Sequence, residues 1–123
     1  MPATQEAVSG FWYGWSSGES GMKQKLDENW LRMGVFMNLA VISRSLTTPP
    51  ASPADGARYI PAAGATGAWA GWEGKVVVYR ASLSAWEKYD VKDGTTAVIL
   101  SEGTWGTQSV CVGGVWSPGA ALS

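Results

Sequence analysis

Leu26-Asp27-Glu28-Asn29-Trp30-Leu31-Arg32-Met33-Gly34-Val35-Phe36-Met37-Asn38-Leu39-Ala40-Val41-Ile42 is the longest periodic run in the chain, and its reading decides the fold. Counted from Met22, apolar residues fall at Leu26, Trp30, Met33, Met37 and Ala40, spacings of three and four that line one side of a helix. Leu31, Val35, Leu39 and Ile42 follow the same rule on a neighbouring side, and from Met33 to Ile42 the only polar side chain is Asn38. A helix that is apolar nearly all round must be covered nearly all round. The rest of the chain can cover one side with a sheet; a second copy of the same chain is the simplest cover for the other, with Leu26, Trp30, Met33, Met37 and Ala40 as the oligomer interface. The competing reading is a core helix of a small monomer. A coiled-coil seam through Leu26, Met33 and Ala40 is interrupted in its partner row by Asn29. The apolar run is shorter than the roughly 20 residues of a bilayer span, so no membrane insertion is expected.

Outward from this run, Ser16 or Ser20 are candidate caps before the helix, and Asp27 and Glu28 in its early turns suit the positive end of the dipole. Arg44 suits the other end. Pro49-Pro50 forbids helix beyond that point. The expected layout is a flexible N-terminus over 1–10, then a single domain over 11–117, then a frayed tail over 118–123. Within the domain, a helix over about 22–46 leads to a Pro-rich connector over 47–57 that ends in the turn signal Asp55-Gly56, and to a β-rich part over 58–117. Phe11-Trp12-Tyr13-Gly14-Trp15 is an aromatic cluster that needs cover from elsewhere.

In the β-rich part, Arg58-Tyr59-Ile60 reads as a short strand stopped by Pro61, and a Gly- and Ala-rich loop follows from Ala62 to Trp72. That loop lacks the Gly-Lys-Ser/Thr ending of a phosphate cradle. Lys75–Arg80 and Ala85–Tyr89 read as a hairpin, Asp93-Gly94 as a turn, and Thr95–Leu100 as a strand. Ser109–Val112 and Val115-Trp116 flank the two-residue hairpin signal Gly113-Gly114. Trp86 and Trp116 each open a returning strand, a weak sign of duplication. The fold class expected from these signals is α+β: one N-terminal helix packed on a small, mostly antiparallel sheet, oligomerising through the helix.

The totals bound function. The chain has 123 residues, a net charge of −1, 15% charged residues and 16 glycines. Near-neutral charge with no basic patch gives no support to nucleic-acid binding. With few charges for solubility, the chain suits an assembly. There is no histidine, which removes the commonest general base and metal ligand. Cys111 stands alone, so no internal disulfide forms, and its Val-flanked strand suggests a buried, inert thiol. The first residues lack the charge and apolar run of a secretion signal, and synthesis in a cytoplasm is expected.

From about Phe11 to Gly103 the chain resembles a family, the domain of unknown function DUF2793, found in phage and prophage tail proteins and related gene-transfer particles. The resemblance is carried by Gly14-Trp15, Leu26-Asp27, Pro50-Ala51-Ser52-Pro53-Ala54-Asp55-Gly56, Tyr59-Ile60, Gly64-Ala65-Thr66-Gly67-Ala68-Trp69-Ala70-Gly71 and Trp86. It implies a virion structural part, a tail-fibre or baseplate-associated subunit made in the host cytoplasm, with other tail and fibre proteins as partners. It brings no catalytic residues and no cofactor. With no further fibre segment after Ser123, an anchoring or connecting role fits better than direct host binding.

Three function classes follow. The first is an anchoring or connecting subunit, a homotrimer built around the helix, with a capsid spike or decoration subunit as its variant. The second is a module for host-surface glycan: eight tryptophans are many for this length, and Trp69, Trp72 and Trp105 sit in Gly-rich, loop-like surroundings where a ring can stack on a sugar. Core or interface anchoring is the simpler role for such rings. The third is an enzyme, for which Asp55, Glu73, Glu87, Asp90 and Asp93 are the available carboxylates. No spacing pairs them, and Asp90 with Asp93 are too few for a calcium site, so no catalytic residue, cofactor or metal is expected.

Overall fold

The helix α1 runs over Met22–Phe36 and stops there, well before residue 46. The structure, a computed structural model, describes residues 4–13 and 21–121. They fall into two units, Met1–Leu39 and Ala40–Ser123. After Met37 closes the last helical turn through its N–H on the Met33 carbonyl (2.9 Å), the chain extends. Ala40–Val41 forms a strand, β3, the third in chain order. Leu39, Val41 and Ser43 are buried and Ile42 is exposed, the period of two of a strand. Val41 and Ile42 are β-branched and favour that conformation, and a short apolar run fits a buried strand as well as a helix. This corrects the helix end, and Arg44 does not sit at a helix terminus.

In the first unit, β1 (Thr4–Gln5) pairs antiparallel with β2 (Trp12–Tyr13). Residues 4–10, expected to be flexible, are therefore organised. The Glu6 carboxylate accepts from the backbone N–H groups of Val8 (2.9 Å) and Ser9 (2.5 Å) and closes the turn between the strands. Asn29 of α1 grips the Trp12 backbone at two points, accepting its N–H at 2.9 Å and donating to its carbonyl at 3.2 Å. Glu28 accepts the Trp12 indole N–H, and Arg32 donates from Nε to the Ser9 carbonyl at 2.7 Å. Neither Asp27 nor Glu28 lies in the first helical turn; Asp27 pairs instead with Lys23 at 2.6 Å. The candidate caps Ser16 and Ser20, and Gly14-Trp15, lie outside the described residues; the residue at the cap position is Gly21.

The second unit holds the strands β4 (Arg58–Tyr59), β5 (Val76–Arg80), β6 (Ala85–Tyr89), β7 (Thr96–Ile99), β8 (Thr107–Val112), β9 (Val115–Trp116) and β10 (Ala120–Ala121). One sheet has the order β4-β5-β6 and is antiparallel. The other has the order β10-β8-β7-β3, with β9 also on β8, and β3 lies parallel to β7. Its buried face carries Val41, Ala97, Ile99, Thr107, Ser109 and Cys111. The chain leaving β3 joins the two sheets. Val41 accepts from Leu100 N–H (2.9 Å) on one side, and Ile42 N–H donates to the Arg58 carbonyl (2.8 Å) on the other. Ser43 then bridges in parallel to Tyr59.

The expected α+β architecture of one helix on one small sheet is overturned. The described residues form one α-helix, two single-turn 3-10 helices and ten strands in three sheets, a mostly β chain. The strands at 76–80, 85–89, 96–99, 107–112 and 115–116 lie close to where their turn signals place them. The expected frayed tail is also revised, because Ala120–Ala121 pairs with β8.

Candidate functional site

Gly113 and Gly114 both have positive φ (62° and 79°), the requirement of a tight two-residue hairpin, and this turn sends β9 back along β8. Between the pairs Cys111↔Trp116 and Gln108↔Ala120, three residues, Ser117–Gly119, face two, Ser109 and Val110. This is a β-bulge, with one extra residue that turns backbone carbonyls out of the ladder. Arg44 collects them: Nη1 donates to the Ser117 carbonyl at 2.7 Å and Nη2 to the Pro118 carbonyl at 2.9 Å. The same guanidinium grips Glu102 with both ends of its fork, Nε to Oε2 at 2.7 Å and Nη2 to Oε1 at 2.8 Å, and reaches the Ser109 hydroxyl at 3.2 Å. These contacts engage all five N–H groups of the side chain. Its hydrogen bonds hold the Glu102 carboxyl below its ordinary range, and Glu102 in turn raises Arg44. Arg44 is therefore a clasp with no donor left for a ligand.

Beside the clasp lies an open cleft of about 360 Å³, within the range of small-molecule sites. Ala63, Val115 and Trp116 give it apolar walls over the buried side chains of Ile60 and Pro61, and Arg44 and Glu73 are its charged members. The Trp116 indole N–H donates to the Gly74 carbonyl at 2.8 Å, which fixes the ring. Glu73 is exposed, and one of its carboxylate oxygens accepts Ala65 N–H at 3.1 Å.

The three rings expected to stack on a sugar are not brought together. Trp69 is 0% exposed and sits with Tyr59, Val77, Ala57 and Ala65 in the core of the second unit. Trp86 meets it edge-on at 5.1 Å between centroids and also contacts Tyr59 and Tyr79. With no exposed face, Trp69 has no surface for a ligand. Its indole N–H finds no protein acceptor, a cost of about 1–3 kcal/mol. Burial of a ring this size contributes roughly 4–6 kcal/mol, so the buried position prevails. Trp72 is half-buried against the same core. Trp105, on the turn between β7 and β8, is 71% exposed.

Of the expected interface residues, Leu26, Trp30 and Met33 lie on α1, Met37 caps it and Ala40 belongs to β3. Leu26 is 38%, Trp30 67% and Met37 79% exposed. Met33 and Ala40 are half-buried. The opposite side, with Arg32, Val35 and Leu39, is buried.

Each carboxylate weighed for catalysis has a structural partner. Asp55 accepts Ala81 N–H, Asp93 accepts Gly113 N–H, Glu87 pairs with Arg80 and Asp90 with Lys75. Among the described residues no group of three His, Cys, Asp or Glu side chains is placed to hold a metal, and no helix is long and apolar enough to cross a membrane. Cys111 is buried, and burial pushes its thiol upward, which keeps it protonated.

Sequence reasoning missed the Arg44 clasp and the Trp116–Glu73 cleft. The one signal for the clasp was Pro118-Gly119 after a strand, which marks a bulge as readily as an end. A family model described as a protein of unknown function (DUF2793) matches residues 26–117. No curated protein and no solved structure matches the chain.

Proposed function

The chain belongs to the family described as protein of unknown function (DUF2793), and from that premise we propose that it is a non-catalytic assembly subunit of a phage particle. Its place is the tail, as an anchoring or connecting piece of a fibre or baseplate, and its working form is a homotrimer joined through α1. The observation that carries this reading is the exposed apolar stripe of Leu26 and Trp30, continued by the cap residue Met37, on the only α-helix among the described residues. Large apolar side chains aligned on one face mark interaction surfaces, and tryptophan and methionine are enriched there. Like helices from two further copies present the same stripe, and the three can pack these faces around a common axis. The particle assignment is supported by the resemblance to phage and prophage tail proteins.

Sedimentation of the full chain at micromolar concentration tests the reading. The expected result is a trimer that Trp30→Glu or Met37→Glu converts to monomer with an unchanged circular-dichroism spectrum, since both side chains are exposed. A wild-type chain that sediments as a monomer overturns it.

A further inference from the structure

Trp116, Glu73 and Arg44 define the chemistry that the cleft of the second unit accepts. Arg44 lines it, but all five of its N–H groups are committed to Glu102, Ser109, Ser117 and Pro118. The cleft thus offers no free cation to an anion, and the Glu73 carboxylate repels one. What it offers is an indole ring locked in place through its N–H, exposed apolar surface from Ala63 and Val115, and a carboxylate with one structural hydrogen bond at Ala65. A ligand that fits has an apolar face, hydroxyl donors on its edge and no negative charge.

We infer that this cleft is a subsite for a neutral hexopyranose. The sugar's C–H face lies on the Trp116 ring, and one or two of its hydroxyls donate to Glu73, a charge-assisted contact. The cleft is open, and its volume of about 360 Å³ has room for at least one sugar ring. The assignment moves the stacking role from Trp69, which is buried, to a ring on β9 that a hairpin and a hydrogen bond fix in advance. It is independent of the trimer, because the stripe on α1 belongs to the other unit.

The test follows the Trp116 indole N–H resonance, assigned through Trp116→Phe, in the full-length chain. Glucose, galactose and N-acetylglucosamine are titrated, with N-acetylneuraminate and N-acetyl-lysine methylamide as the anionic and cationic comparisons. A saturable shift with at least one neutral sugar is expected. Glu73→Gln, which keeps an acceptor for Ala65, should weaken it about ten-fold, the loss of one charge-assisted bond. Equal affinity for a free sugar and for its oligosaccharide assigns the site to free sugar; tighter binding of the oligosaccharide assigns it to a polysaccharide. No shift with any neutral sugar, a shift that Glu73→Gln leaves unchanged, or a response to the lysine derivative or the anion in place of the sugars overturns the inference.

Discussion

Glu102 shows how one side chain couples acidity to the integrity of this protein. The hydrogen bonds from Arg44 depress its carboxyl below the ordinary value of 4.5, so the folded state holds the ionised form more firmly than the unfolded state does. Stability from this source is complete above the unfolded value and drains away as pH falls through the folded one. Asp90 contributes in the same direction, depressed by its hydrogen bond from Lys75, but that pair is more exposed and so worth less. Denaturant midpoints measured from neutrality down to pH about 3 should show wild type losing ground below about 4.5. Glu102→Gln should start lower at neutrality and fall less steeply. A parallel fall in both proteins would remove Glu102 from the account.

At the scale of elements, turns were legible and short pairings were not. Asp93-Gly94 and Gly113-Gly114 announce reversals by composition, and the strands beside them lie close to where those signals place them. The two-residue strands β1, β2, β3 and β10 carry no period of their own; tertiary hydrogen bonds define them. The run from Leu39 to Ile42 satisfies both a period near 3.6 and a buried strand, and only its pairing with β7 and Arg58 decides between them. Gly-rich surroundings made Trp69 look accessible, yet the loop folds its ring into the core. The bulge gives the sharpest element-level prediction. Gly119 has φ of 82°, and a Cβ there would stand 2.4 Å from the Gln108 carbonyl oxygen. Gly119→Ala should therefore cost more than about 2 kcal/mol, from left-handed strain and from a contact with backbone that cannot retreat. Thermal unfolding measures it; a change under half that size would mean the bulge relaxes freely.

For the whole molecule, the division at Leu39 and Ala40 separates two kinds of work. The second unit contains both larger sheets, the aromatic core and the clasp, and every hydrogen bond of Arg44 closes within it. A fragment spanning 40–123 is expected to fold alone, with dispersed amide resonances and a cooperative transition, and to stay monomeric because it lacks α1. A fragment that folds but still trimerises would move the interface away from the helix. The apolar stripe that we propose as the assembly surface could be read from the sequence, because a stripe needs only a count of spacings. The cleft was not, because Trp116 and Glu73 lie far apart in the chain and come together only when the two sheets are joined.

The Arg44 clasp also sets a clock. Its partners lie 58 to 74 residues further along the chain, so it closes only after most of the topology is in place, and such distant contacts form late. A lock that engages last holds the door rather than opening it. Arg44→Met, at a cost of roughly 2 kcal/mol, should hasten unfolding about thirty-fold and leave the refolding rate nearly unchanged. In stopped-flow traces the lost stability would appear almost wholly in the escape rate, and this arginine would govern how long the folded chain survives.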